Sequence, residues 1–392
     1  MGRSFAVLIF FAAATALAEE PSSQPVPAPN ELVTAIGPED APANLSELAA
    51  SGYSGRDNAL LHYGTAETFA ELHGFLSVVA AQSNAPNSHL SIDLEEAFLS
   101  AFAQVNRDLT VYIEFEIKSG NVNLERGFVD WEFLPRVHLQ AGKFYAPFGN
   151  DKLLLKQPFN KLTNNPLMMH NLGFDDFADI GAWLWASHRW GGLWIRGDFA
   201  VTKGASGLRD DDWAYNENNV DKPLFGRAQI GYDGQSFNGL VGASVAYGRY
   251  DDASRRHWLL VGAHAQAKLW RFELLAELMV RRGDDAIPSA LCDGHPCVLA
   301  TANGIGLYAQ LSFHALRNRK LAHDLELIVR YDQSELTIPG ETATATYERR
   351  LTFGARWKPY SHFALKAQYD LARSEPYEVH GGGFEGGIVV EF

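Results

Sequence analysis

The chain has 392 residues, 46% of them hydrophobic, with a formal net charge of −14 and two cysteines. That acidic balance, unbroken by any basic cluster, argues against nucleic acid as a partner. Past the N-terminal leader no apolar run approaches the roughly 18 residues of a membrane helix. Mean hydropathy is −0.15, which still allows crossing by strands, since these need only every second residue apolar.

Met1 to Ala18 carries Arg3, an apolar run from Phe5 to Leu17 and the small triplet Ala16-Leu17-Ala18 before Glu19. This is the pattern of a cleaved secretory leader, and its removal makes the chain one unit more negative. Residues 19–66 hold Pro21, Pro25, Pro27, Pro29, Pro38 and Pro42, spaced too closely for helix or strand. They read as a disordered, linker-like periplasmic extension, with Asn44 and Glu47 able to cap one short helix through Ala50. The expected division is a leader over 1–18, an extension over 19–66 and a membrane domain over 67–392.

From Thr68 onward the period is two. In Leu109 to Lys118, Leu109, Val111, Ile113, Phe115 and Ile117 share one face, and Thr110, Tyr112, Glu114, Glu116 and Lys118 the other. One face suits lipid and the other water. A soluble antiparallel sheet also alternates, so the decision comes from repetition. Sixteen candidate strands begin near residues 68, 90, 108, 122, 136, 179, 191, 223, 237, 256, 270, 303, 323, 346, 361 and 382, with fourteen or eighteen as the neighbouring counts. Most are long enough to cross a bilayer at a tilt, longer than the about five or six residues of soluble strands.

Connection lengths alternate too. The stretches 146–178, 203–222, 283–302 and 335–345 are long, and those between them are short or modest, as in outer-membrane barrels with short periplasmic turns and long outer loops. Trp183, Trp185, Trp190, Trp194, Trp258, Trp270, Trp357 and Tyr360 lie mostly near strand ends, where interfacial girdles would place them. The last segment, Gly382 to Phe392, alternates with Phe384, Gly386, Ile388, Val390 and Phe392 outward. The fold class expected is all-β: a transmembrane antiparallel β-barrel of sixteen strands in the outer membrane of a Gram-negative bacterium.

Cys292 and Cys297 in Cys-Asp-Gly-His-Pro-Cys have the spacing of a small disulfide loop in an exported chain. Together with His295 they fall short of a zinc ligand set, so neither metal nor cofactor is expected. Asp210, Asp211 and Asp212 lack regular calcium-loop spacing and read as a solvated loop. His380-Gly381-Gly382-Gly383 has no Gly-x-Ser-x-Gly elbow to serve, and the thirteen histidines show no His-Glu-x-x-His helix. The chain therefore reads as a non-enzyme.

Val137-His138-Leu139-Gln140-Ala141-Gly142-Lys143-Phe144-Tyr145-Ala146-Pro147-Phe148-Gly149, then a long segment and Asp179-Ile180-Gly181-Ala182-Trp183-Leu184, resembles the phosphate-selective porin O and P family. Leu72-His73-Gly74-Phe75-Leu76 and Ala97-Phe98-Leu99 look like that family's opening strands. The resemblance runs from about residue 68 to 187. It implies a sixteen-stranded porin, often a homotrimer, with a loop folded into the lumen. The family's phosphate-selective members line the pore with arginines and lysines, whereas lumen-facing positions here mix both signs.

A pore's chemistry lies at a constriction where charged side chains meet ions in a poorly screened space. The long segment 146–178 is the candidate, with Lys152, Lys156 and Lys161 on one part and Asp175, Asp176 and Asp179 on another. Lys118, Arg126, Arg136, Arg196 and Arg227 are the wall residues expected to face it. The function expected is a passive diffusion channel for small hydrophilic or anionic solutes, its partners being those solutes and membrane lipid. A barrel hydrolase and a closed barrel displaying its loops are the alternatives, and a solvated outer loop is the alternative for 146–178.

Overall fold

The computed structural model describes residues 61–65, 68–83, 89–118, 121–172, 178–204, 221–249, 257–286, 299–318, 323–337, 346–360, 362–375 and 379–391. The leader, the Pro-rich stretch to residue 60, Asp175, Asp176, Asp210 to Asp212, and the Cys292–Cys297 pair lie outside the described residues.

A short strand, β1 (Leu61–Gly64), precedes sixteen longer ones. In chain order these are β2 (Phe69–Ser83), β3 (Ser91–Asn106), β4 (Leu109–Lys118), β5 (Asn121–Leu134), β6 (Val137–Tyr145), β7 (Ala178–Trp190), β8 (Leu193–Thr202) and β9 (Leu224–Asp233). They continue as β10 (Phe237–Arg249), β11 (His257–Leu269), β12 (Phe272–Ala286), β13 (Leu299–Asn318), β14 (His323–Thr337), β15 (Thr346–Tyr360), β16 (Phe363–Glu375) and β17 (Val379–Glu391). Each of the sixteen pairs antiparallel with the next, and β17 returns to β2 with Val390 opposite Leu76 and Gly383 opposite Ser83. The result, among the described residues, is a closed sixteen-stranded barrel. Closure gives the backbone donors and acceptors of the first and last strands partners in each other.

Every expected strand start falls within four residues of the observed one, because the period-two pattern marks where a strand leaves the apolar band. The short strand β1 lies within the stretch read as extension. It pairs with β2 at Leu72 to Phe69, the part of that edge left over because β17 ends opposite Phe75. An available edge recruits whatever extended segment lies nearby.

Burial is inverted relative to a soluble protein. Val241, Phe199 and Ile180 are exposed on the outside, while Arg330 and Asp332 are 1% and 0% exposed inside. Only a lipid surround makes such an outer wall stable. Leu109, Val111 and Ile113 alternate with buried Tyr112 and Glu114, as the pattern required. Among the described residues no helix is long and apolar enough to cross a membrane.

The aromatic girdle expectation holds for only part of its set. Trp190, Trp270, Trp357 and Tyr360 are exposed near strand ends, but Trp183, Trp185 and Trp258 are buried in the interior. Trp183 and Trp185 stand in the middle of β7, and parity decides the side each tryptophan takes. The inward three have partners there: the Trp185 ring stacks on His138 at 3.7 Å, Trp183 Nε1 donates to Asp198 at 3.1 Å, and the Trp258 ring centroid is 6.0 Å from that of Phe225.

Candidate functional site: the lumen and its infolded segment

After β6 the chain turns inward instead of running straight to β7. Gly149 takes φ 68, a left-handed conformation that glycine adopts without strain, and a Cβ there would collide with the Glu277 carboxylate. The segment then forms one 3-10 turn, Lys152–Leu155, and one short helix, α1 (Leu167–Asn171). Phe148, Leu155, Met168, Met169 and Leu172 join Trp183, Trp185, Phe225, Trp258, Leu260 and Met279 in a buried apolar cluster within the barrel. This places the segment in the lumen.

Small inward residues make room for it. Gly262, Gly304, Gly306, Gly354 and Gly387 stand where a Cβ would crowd Phe148, Leu172, Met168, Leu162 and Thr163, respectively. Their footprint follows the segment from β11 to β17.

Polar anchors then tie the segment to the wall. Gly149 N–H donates to Ser244 Oγ at 3.0 Å, and Asn150 Nδ2 donates to Tyr308 Oη at 3.1 Å. Further round the wall, on β16, Lys366 Nζ donates to Gln157 O at 2.6 Å and to Leu162 O at 3.3 Å. Arg356 reaches Pro158 O at 3.1 Å, Arg330 reaches Asn164 O at 2.9 Å, and Arg350 donates to Asn165 O. Four cations on β14 to β16 thus hold backbone carbonyls between residues 157 and 165. Hydrogen bonds from charged donors are stronger than neutral ones. Thr163 Oγ1 donates to Glu385 at 2.7 Å, and Asn164 Nδ2 to Asp370 at 2.7 Å.

The three loop lysines are all buried. Lys156 pairs with Glu125 at 3.2 Å and lies 4.9 Å from the Phe98 ring centroid. Lys161 bridges Glu326 at 2.7 Å and Glu273 at 3.1 Å, and Lys152 Nζ is 3.2 Å from Met169 Sδ. Their charge is thus met largely by wall carboxylates.

Of the expected wall residues, Arg126, Arg196 and Arg227 are brought into the interior. Arg126 donates to both oxygens of Glu114 at 2.9 and 3.0 Å. Arg196 and Arg227 share Asp198 at 2.7 and 3.0 Å, and Arg227 also approaches Gly149 O at 3.4 Å. Lys118 and Arg136 are not part of this assembly. Lys118 is exposed at the last residue of β4, and Arg136 is exposed in the turn between β5 and β6 with φ 66. Asp179 lies at the re-entry to the wall, where it accepts from Gly204 N–H at 2.7 Å.

Among the described residues one group has metal-ligand spacing: atoms of His314, Asp324 and Glu326 lie within 4.8 Å of one another. Glu326 already meets Lys161 and Arg356, and His314 Nδ1 is 3.0 Å from Asp324. The group is satisfied as an ion-pair cluster. Arg356, which has the same parity as Arg350 on β15, and the inward glycines were not among the residues expected at the constriction. Glycine at lumen-facing positions of otherwise regular strands was the available signal.

No protein-family model matches the chain, and no curated protein matches it in sequence. Solved structures do match in fold. Against OmpF of Salmonella typhi in complex with daunomycin, the TM-score is 0.59 at 11% identity, covering 85% of this chain and 100% of that one. The outer-membrane channel DcaP of Acinetobacter baumannii gives 0.58 at 10% identity, with 84% and 99% covered. An anion-selective porin from Comamonas acidovorans gives 0.56 at 12% identity, with 83% and 100% covered. The fold is that of the outer-membrane porins. At such identities the likeness is one of architecture, and the resemblance to the phosphate-selective O and P family rests on the motif alone, which forms β6 and the start of the infolded segment.

Proposed function

We propose that the protein is a passive diffusion channel for small hydrophilic solutes in the outer membrane of a Gram-negative bacterium, delivered there after leader cleavage. It works by passage and performs no chemistry on the solute. The observation that supports this reading is the segment 146–172 folded into a charged lumen and anchored to the wall along its length, and we read it as the constriction. Lys152, Lys156, Lys161, Arg126, Arg196 and Arg227 are the residues assigned to that constriction. A preference for anions is supported by the four cations Arg330, Arg350, Arg356 and Lys366 on one wall. Assembly as a homotrimer follows the motif resemblance, and native mass spectrometry of the detergent-extracted protein tests it.

The decisive experiment is reconstitution of the purified barrel into planar lipid bilayers. Stepwise conductance is expected, with a reversal potential under a KCl gradient whose sign reports anion preference. A closed barrel that displays its outer loops is the second reading, favoured by the close packing of the interior at Arg330, Asp332 and Thr352, each at most 1% exposed. Folded protein that gives no steps would support that reading and remove the channel.

A further inference from the structure

The ion pairs around Glu326 satisfy its carboxylate but leave one buried atom over. His314 Nε2, on a side chain 6% exposed, makes no hydrogen bond among the described residues and stands 3.8 Å from Glu273 Oε2. Burying a ring nitrogen without a bond costs free energy, so the position of this imidazole has a reason beyond the pairs already described.

Strand register supplies the setting. His314 of β13 lies directly opposite Glu326 of β14, and the ladder shifts between His314 and Leu316. Such bulges re-aim side chains and recur beside functional sites. Asp324 precedes Glu326 by one strand repeat, so both carboxylates share the inner face of β14. The connection from β13 to β14 is one of the short ones that barrels keep on the periplasmic side. Three ligand-type side chains from two strands thus converge at the periplasmic mouth of the lumen.

Their separations suit a small cation. Ligand atoms around a tetrahedral ion at about 2.1 Å stand roughly 3.4 Å apart. His314 Nδ1 is 3.0 and 3.1 Å from the two Asp324 oxygens and 3.8 Å from Glu326 Oε1. The ion pairs leave that last oxygen within reach. Lys161 takes Glu326 Oε2 at 2.7 Å, whereas Arg356 stands 3.6 Å from Oε1, beyond hydrogen-bond distance. Side-chain exposures of 27% at Asp324 and 32% at Glu273 provide a way in.

A carboxylate only accepts, so Nδ1 carries the proton shared with Asp324. An ion at Nδ1 takes that proton's place, and Nε2 becomes the donor that Glu273 accepts after closing by about 1 Å. A carboxylate facing the second nitrogen of a ligating histidine fixes its tautomer and orientation.

We infer that His314, Asp324 and Glu326 bind a divalent transition-metal ion of the zinc class, with Glu273 orienting the imidazole. Imidazole mixed with carboxylate suits zinc, whereas magnesium and calcium take oxygen ligands. Glu326 holds the metal through one oxygen and Lys161 through the other, so the bound ion also secures the infolded segment at its periplasmic anchor. The site does not depend on conduction.

The test uses the full-length folded barrel without an affinity tag, stripped with chelator in detergent and titrated with ZnCl2 by isothermal calorimetry. One zinc equivalent should bind with saturation, and an equal concentration of MgCl2 should not displace it. Glu273→Gln should weaken zinc binding about tenfold, and His314→Gln should abolish it. Heat-modifiable migration on gels verifies that each variant is folded, and the comparison of zinc with magnesium on wild type needs no variant. Absence of saturable zinc binding to wild type, or undiminished binding by folded His314→Gln, would overturn the site. Equal affinity for magnesium would assign it to a hard cation and overturn the transition metal. Bilayer recordings read the channel separately: a barrel that conducts without binding zinc loses this site alone, and a silent barrel that binds zinc keeps it.

Discussion

Met168 occupies the space that Gly306 leaves on the inner face of β13. The relationship is steric: helix α1 can lie against the wall only because that wall position lacks a side chain. Gly306→Leu would force the two apart. Overpacking of this kind costs about 1–3 kcal/mol, and the anchored segment, not the hydrogen-bonded barrel, is the part able to yield. Single-channel conductance should rise while the barrel stays heat-modifiable. An unchanged conductance in folded protein would put the segment outside the permeation path.

Lys156 and Lys161 stand against Glu125, Glu273 and Glu326 at 2.7 to 3.2 Å. Replacing Lys152, Lys156 and Lys161 together by Glu sets carboxylates against carboxylates and turns the local field negative. Cation over anion permeability should increase by roughly tenfold at low salt, where charges about 10 Å apart are still weakly screened. The sign of the reversal potential under a KCl gradient reads this directly, and no shift would mean that the permeant never meets the lysines.

Asp198 is shared by Arg196, Arg227 and the Trp183 indole. Asp198→Asn keeps the shape and removes the charge between two buried guanidiniums. Breaking a buried ion pair by neutralising one partner costs about 3–5 kcal/mol. The urea midpoint of the detergent-solubilised barrel should fall, and anion preference should strengthen. A variant as stable as wild type would show that water, rather than Asp198, solvates the arginines.

The barrel was legible because one rule, apolar out and polar in at every second residue, repeats along Leu109 to Lys118 and fifteen further strands. Each of these can be read by itself. The path of the segment was not legible for the opposite reason. Lys161 meets Glu326, and Gln157 meets Lys366, across large separations in sequence that no local period encodes. The inward direction of Trp183 and Trp185 was encoded in parity, and grouping them with the girdle by residue type put them on the wrong side. His314 and Glu326 are inward by the same parity, yet their meeting depends on register between β13 and β14, which the sequence leaves to the turn joining them.

The edge of β2 serves two strands at once: β17 along residues 75–83 and β1 along 69–72. Whatever is made first must therefore wait, with its hydrogen-bonding groups unsatisfied, for a stretch synthesised much later. Such a wall cannot be laid down strand by strand into lipid as translation proceeds. It has to be held open and shielded until the ring is sealed, so insertion is one concerted act.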